Sequence, residues 1–249
     1  MKFITLLSCF ILAYSCTGKK QELTAQQIIN QAIEVACAGN CENATMDFTF
    51  RDRCYVSMRN DGIYRYERIT SDSTGVTEDV LTNSGFTRHK NNVQIKVADS
   101  MITKYSNSIN SVIYFAQLPF GLNAEAVKKE LLGEAVIKEE PYFEIGVSFN
   151  EEGGGTDFED TFVYWIHKDK YTVDYLAYQY FSDGGGIRFR EAYNPRIVNG
   201  IRFADYYNFK PGTIEVTLTE LDSEFEKGTL KLLSKIETES VGVQLTNAN

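Results

Sequence analysis

From Met46 onward, apolar side chains recur at every second position, and this period of two commits most of the chain to antiparallel sheet. Phe48 and Phe50 alternate with polar neighbours, and residues 54–58 and 63–69 are strand-like runs divided by the hairpin signal Asn60-Asp61-Gly62. Residues 76–81, 85–89 and 93–97 continue the pattern, with Asn91-Asn92 turning the last pair. Strands resume at 134–138 and 142–149, where Phe143, Ile145, Val147 and Phe149 share a face. Further strands are expected at 187–192 and 201–209, the second introduced by Asn199-Gly200. An edge strand at 216–218, a helical turn at 221–226 and a closing strand at 230–236 complete a sequential meander. After Glu239 the residues are small and polar, which predicts a flexible tail over 241–249.

Two segments break the alternation. Residues 161–167 and 172–181, with Phe162-Val163-Tyr164-Trp165-Ile166 and Tyr175-Leu176-Ala177-Tyr178, carry apolar groups on both faces, so both faces should be covered there. The cover must come from helices. Residues 25–36 carry the stripe Ile28, Ile29, Ala32, Ile33 and Ala36 behind a capping pair, Thr24 and Gln27. A second helix is expected from after Asp99 to about residue 115, with Ile102, Tyr105, Ile109, Val112, Ile113 and Ala116 at three- and four-residue steps and Pro119 as its limit. A short helix at 124–130 follows. These elements predict an α+β, mainly β fold: a single strongly curved antiparallel sheet or half-barrel of about ten strands, its concave face covered by helices.

The N-terminus carries an address. Lys2 precedes an apolar stretch over residues 3–14, too short for the roughly twenty residues of a spanning helix, so it reads as a signal peptide. The stretch ends at Leu12-Ala13-Tyr14-Ser15-Cys16, which resembles the lipobox of bacterial lipoproteins and implies cleavage after residue 15 with acylation of Cys16. Several acyl chains on Cys16 would anchor the protein permanently in a membrane. Residues 16–24 then form the lipidated cysteine and a polar tether, and 25–240 a single domain. By resemblance to bacterial sorting rules, the lack of an aspartate after Cys16 and of an acidic run points to an outer-membrane anchor facing the periplasm.

A formal charge of −9 opposes contact with nucleic-acid phosphate. The cysteines suit an oxidising compartment: Cys37 pairs with Cys41 across a tight turn, or Cys54 pairs with one of them. No cofactor is implied. Gly153 to Gly155 and Gly184 to Gly186 read as hairpin or close-approach glycines, because no phosphate-loop lysine follows. Asp157, Glu159 and Asp160 are the weak metal candidates in the acidic turn, with spacing unlike a calcium loop. His89 and His167 sit in no pattern of a metalloprotease or nucleophile elbow, so no catalytic residue is assigned.

Binding chemistry is better supplied. Tyr105, Ile109 and Ile113 on the second helix, with Tyr164, Trp165 and Tyr178 on the strands, are candidates to line an apolar interior. Arg188, Arg190 and Arg202 are candidate contacts for a headgroup or carboxylate, unless neighbouring acids neutralise them across the strands. Sixteen Phe and fifteen Tyr are enough either to line a cavity or to fill a solid core, and the sequence leaves both open.

Anchor, strand order and helix placement together resemble the LolA and LolB group of periplasmic lipoprotein carriers and receptors, and related mycobacterial lipid-binding lipoproteins. Four stretches resemble an uncharacterised family of Bacteroidetes envelope lipoproteins: Asn107-Ser108-Ile109-Asn110-Ser111-Val112-Ile113-Tyr114-Phe115, Glu152-Gly153-Gly154-Gly155-Thr156-Asp157-Phe158-Glu159-Asp160, Val163-Tyr164-Trp165-Ile166-His167 and Asp183-Gly184-Gly185-Gly186-Ile187-Arg188-Phe189-Arg190. The resemblance implies a fold and no activity. Two classes of function follow as expectations: an anchored, non-enzymatic binder of an acyl chain or other hydrophobic ligand, or an anchored scaffold with a filled core that binds an envelope protein partner. An envelope hydrolase ranks below both.

Overall fold

The computed structural model describes residues 22–246. The leader at 1–15, the acylation site Cys16 and most of the tether lie outside the described residues. The first described element opens on a reciprocal cap: the Gln27 N–H donates to Thr24 Oγ1 at 3.2 Å while the Thr24 N–H donates to Gln27 Oε1 at 2.9 Å. Helix α1 (Ala25–Cys37) follows, burying Ile28, Ile29, Ala32 and Ala36. Cys37 and Cys41 are disulfide-bonded across the turn that ends it, and Cys54 is a free thiol.

Six strands then meander: β1 (Ala44–Phe50), β2 (Arg53–Asn60), β3 (Ile63–Asp72), β4 (Gly75–Thr82), β5 (Gly85–Lys90) and β6 (Val93–Ile95). Helix α2 (Asp99–Ala116) leads to a second meander of β7 (Val127–Ile137), β8 (Glu140–Phe149), β9 (Thr161–His167), β10 (Val173–Tyr180), β11 (Gly186–Val198) and β12 (Ile201–Lys210). After the short helix α3 (Leu221–Glu226) come β13 (Lys231–Ile236) and β14 (Glu239–Leu245). The fold is mainly β, but it is two sheets of seven strands, not one sheet of about ten. The first has the order β14-β1-β2-β3-β4-β5-β6 and the second β13-β12-β11-β10-β9-β8-β7. A twisted open sheet rarely exceeds about ten strands without splitting. Here the break falls at residues 237–238, where the chain passes from β13 in one sheet to β14 in the other. Arg196 and Asp205 hold that corner: Arg196 Nη2 donates to Thr238 Oγ1 at 2.5 Å, and Asp205 Oδ1 accepts from the Thr238 N–H at 3.0 Å.

Three further expectations need correction. Residues 124–130 are not a helix: a 3-10 turn at Phe120–Asn123 is followed directly by β7, whose ladder with β8 pairs Val127 with Phe149 and Lys129 with Val147. A helix this short is weak alone, and a partnered strand satisfies more backbone groups. The expected edge strand at 216–218 is instead a turn, in which Thr217 caps Leu218–Glu220 and leads into α3. The polar tail is ordered at least to residue 246, because β14 pairs with β1 and packs Val241, Val243 and Leu245 against a buried cluster. Every second residue there is apolar, a short signal among polar neighbours.

The second sheet is covered on both faces, as its double-sided apolar strands require. On the inner face Phe143, Ile145, Phe162, Tyr164 and Leu176 pack with Ile28, Ile29 and Ala32 of α1. On the outer face Val163, Trp165, Tyr175 and Phe189 pack under Leu221 and Phe225 of α3. Helix α2 lies between the sheets, touching β2, β3 and β4 of the first and reaching Tyr114 and Phe115 toward the second.

Candidate functional site

The two sides of α2 are held by different chemistry. Toward the first sheet, Asp79 of β4 accepts from Arg68 Nη2 at 2.6 Å and from Arg88 Nη2 at 2.9 Å. Arg68 also donates to Ser108 of α2 at 2.9 Å, and the Arg88 guanidinium lies over the Tyr105 ring at 3.7 Å. Burial alone would raise the Asp79 carboxyl; hydrogen bonds and charges from Arg88 and Arg68 override it and hold it below the ordinary carboxylate range. Arg68 and Asp79 are buried, so this ion-paired cluster of the sheet holds α2 away from water, through a hydrogen bond to Ser108 and a cation–π contact with Tyr105. The end of α2 is fixed as well, by Gln117, which accepts from Arg59 and donates to the Met46 sulfur at 3.0 Å.

Toward the second sheet the contacts are aromatic. The Tyr114 and Tyr164 hydroxyls share a hydrogen bond of 2.8 Å, and the Phe115 ring lies 5.3 Å from that of Tyr178. Both rings also meet Phe162 of β9. A cleft opens between α2 and the inner face of β9, β10, β11 and β12 as two adjoining cavities, about 460 and 240 Å³. Asn107, Tyr114, Phe162, Tyr178 and Arg188 line the larger, with the β8–β9 connection closing its far side. Val112, Ala116, Ala204, Tyr206 and Ile236 line the smaller, together with Asn208 and, at its rim, the exposed Arg51. Ser111, Phe115 and Arg190 line both.

The β8–β9 connection owes its shape to one glycine. A Cβ on Gly154 would stand 2.1 Å from the Asn150 carbonyl oxygen, so no side chain fits there. The folded-back loop brings Thr156 to Asn107 of α2, which donates to it, and places Asp157 and Asp160 in the wall. Burial pushes the Asp160 carboxyl up to about 6; the Phe181 N–H at 3.2 Å opposes that rise, and the charges of Asp157 and Glu159 add to it. Among the described residues no three His, Cys, Asp or Glu side chains converge as a metal site, so Asp157, Glu159 and Asp160 do not form one.

The sequence candidates divide. Tyr178, Arg188 and Arg190 line the cleft. Tyr164 lies beneath it, fully buried. Tyr105 packs against Arg88 and Phe86 of the first sheet, and Ile109 and Ile113 are buried outside the cavity lining. Trp165 is on the wrong face: one residue from Tyr164 along β9, it packs into the outer cluster with Phe189. Arg202 does not join the other arginines. Arg190 stands across from Asn208 while Arg202 stands across from Ile197, and Arg202 is paired with Asp174 at 3.5 Å. Of the histidines, His167 caps a turn, its Nδ1 accepting from the Asp169 and Lys170 N–H groups. The sequence reading missed Tyr114, Phe115 and Phe162. The doubled aromatic at 114–115 was the available signal, since both rings turn toward the second sheet and meet Phe162 there.

Arg188 and Arg190 project from alternate positions of β11 into the same cleft. Arg188 donates to the Tyr180 hydroxyl at 2.7 Å and Arg190 to the Tyr178 hydroxyl at 2.7 Å; the Arg190 guanidinium also lies 4.0 Å from the centre of the Phe115 ring. None of the ion pairs among the described residues includes either arginine.

Comparison with known proteins places the fold. The model of a family of unknown function, DUF6503, matches residues 1–238. No curated protein matches the chain. Among solved structures, the chain is similar to a LolA superfamily protein from Nitrosomonas europaea, at 12% identity and a TM-score of 0.50 over 92% of this chain and 96% of that one. It is also similar to a DUF1329 family protein from Desulfovibrio piger, at 11% identity and a TM-score of 0.54 over 90% and 95%. The LolA-like resemblance of the sequence therefore extends to the fold.

Proposed function

We propose that this chain, which belongs to the DUF6503 family of unknown function, is a non-enzymatic envelope lipoprotein that holds an acyl chain or other hydrophobic ligand between α2 and the second sheet. The observation that carries the reading is the cleft: its combined size is within the roughly 300–1,000 Å³ of small-ligand sites, and its smaller part is lined mainly by apolar side chains while polar groups, among them Asn107, Tyr178 and Arg188, gather in the larger. A filled-core scaffold is supported less, because the side chains of α2 and β9 to β12 leave this space open.

The mechanism is transfer of apolar surface out of water. Each buried methylene contributes about 0.8 kcal/mol, so a chain of ordinary lipid length has ample driving force. Helix α2 is fixed to the first sheet by the Asp79 cluster and touches the second mainly through Tyr114 and Phe115, so the aromatic side is where the cleft would widen. Acylation at Cys16 and an outer-membrane position facing the periplasm belong to the same reading. Among the described residues no helix is long and apolar enough to cross a membrane.

Native mass spectrometry of the full chain carrying Cys16→Ser, after exposure to an envelope lipid extract, tests this. Stoichiometric retention of lipid is expected, and Ala116→Trp, which fills the smaller cavity, should abolish it. Repeated recovery of lipid-free protein overturns the reading.

A further inference from the structure

The cleft has a polarity of its own, and Arg190 stands at its waist. Only 7% exposed, Arg190 lines both cavities, and its Nε finds no hydrogen-bond partner. A buried cation is normally paired, because leaving water costs several kcal/mol that an opposite charge must offset. What Arg190 has instead is neutral: the Tyr178 hydroxyl and the faces of Phe115 and Tyr178, 4.0 and 5.0 Å from the guanidinium. Asn208, directly across in register, also has an unpartnered Oδ1, yet a neutral amide can satisfy one N–H and leaves the charge uncompensated. The buried Arg68 and the half-buried Arg202 are treated differently. Arg68 meets Asp79 at 2.6 Å, and Arg202, further along the same inner face, has Asp174.

Arg188 adds a second unpaired guanidinium on the same wall of the larger cavity, bonded to the Tyr180 hydroxyl and to the carbonyl of Ile187. Beyond the arginines the two cavities differ. The smaller presents the aliphatic groups of Val112, Ala116, Ala204 and Ile236 beside the rings of Phe50 and Phe115, whereas the larger offers hydroxyls and amides from Tyr178, Tyr180, Asn107 and Asn110. Asp157 and Asp160 also face the larger cavity from the β8–β9 loop, but neither forms an ion pair with Arg188 or Arg190. On a chain of net charge −9, two guanidiniums without acidic partners on one cavity wall make a local place that favours an oxyanion.

From this arrangement we infer that the ligand is a single-chain anionic amphiphile, its chain in the smaller cavity and its carboxylate or phosphate in the larger, held by Arg190 and Arg188. The inference rests on the hydrophobic-ligand reading above and specifies the head of that ligand. Guanidinium is suited to either oxyanion through paired N–H donors, and the aromatic faces on Arg190 keep its fork aimed at one place.

The test is titration of the full chain carrying Cys16→Ser with three probes of equal chain length: palmitate, palmitoyl lysophosphatidic acid and hexadecanol. The two anions should bind about tenfold or more tightly than the alcohol, the scale expected of a charge-assisted contact. Preference for palmitate alone assigns a carboxylate head, and preference for the lysophosphatidic acid alone assigns a phosphate. Arg190→Gln should remove the preference while leaving hexadecanol binding in place, Arg190→Lys should retain part of it, and Arg188→Gln, at a less buried position, should reduce it should the first variant fail to fold. Equal affinity for all three probes overturns the anionic head and leaves the hydrophobic-ligand reading standing. Failure to bind any probe overturns both.

Discussion

Tyr114 of α2 and Tyr164 of β9 meet hydroxyl to hydroxyl at 2.8 Å, the one hydrogen bond that ties the aromatic side of the helix to the second sheet among the described residues. Tyr164 is fully buried, so removing its partner leaves a phenol without water to replace it. Tyr114→Phe should lower stability by about 0.5–1.5 kcal/mol in urea denaturation. The same variant should speed exchange of bound lipid in a stopped-flow displacement assay, because α2 would lose its hydrogen bond to the strands of that sheet and keep only its contacts through the Tyr114 and Phe115 rings and the Asn107 bond to the β8–β9 connection.

Asp79 is the shared acceptor of Arg68 and Arg88, and its loss would leave two guanidiniums facing each other beneath α2. Asp79→Ala should cost about 3–5 kcal/mol, the scale for breaking a buried ion pair by removing one partner. Hydrogen exchange should report the damage first at residues 105–108, where Tyr105 and Ser108 rest on the arginines.

Leu221 packs on the outer face of the second sheet, fully buried among Trp165, Tyr175 and Phe189. Leu221→Ala should destabilise the fold by about 2–5 kcal/mol through the cavity it leaves. Ligand affinity should not change at temperatures where the variant is folded, because the cleft is on the other face. A loss of affinity would mean that the sheet transmits packing changes from one face to the other.

Glu144 gives the stability a pH dependence of known sign. Burial, with a smaller contribution from the Asp222 charge, pushes its carboxyl up to about 7, and its Oε1 has no hydrogen-bond partner. The folded chain therefore keeps this proton at pH values where the unfolded chain, with an ordinary value of 4.5, has released it. Its contribution makes stability decline as pH rises from about 4.5 to about 7. Glu144→Gln should flatten that slope and be more stable than the parent at pH 8, as read by urea midpoints across the range. Asp79 acts in the opposite sense, its lowered carboxyl adding stability that is lost only toward acid.

How legible this was depends on what each residue has to do. Thr24 and Gln27 announce α1 because capping is local chemistry, and Asn60-Asp61-Gly62 and Asn199-Gly200 announce hairpins for the same reason. The two-sided character of β9 and β10 was visible too, since burial on both faces forces apolar residues into adjacent positions. Which face looks into the cleft was not visible. Tyr164 and Trp165 are equally aromatic and equally buried, and only the placement of α1 and α3 decides that the first lies under the cleft and the second away from it. Arg188, Arg190 and Arg202 look alike in sequence; the bulge where β11 pairs with β12, and the position of Asp174, separate the third from the others. The split into two sheets escaped for a similar reason, because residues 237–238 carry no turn signal and are set by Arg196 and Asp205 from far along the chain.

That corner has a consequence for how the molecule comes into being. Ala44 pairs with Leu245, so the first sheet gains its outermost strand from β14, the last strand among the described residues. While the chain folds, β1 to β6 can assemble early, but β1 keeps a bare edge until β14 reaches it. Closing a loop of that length is a late and entropically costly event, and an open edge invites pairing with another molecule in the meantime. The chain is therefore expected to depend on chaperoning for as long as β1 waits for β14.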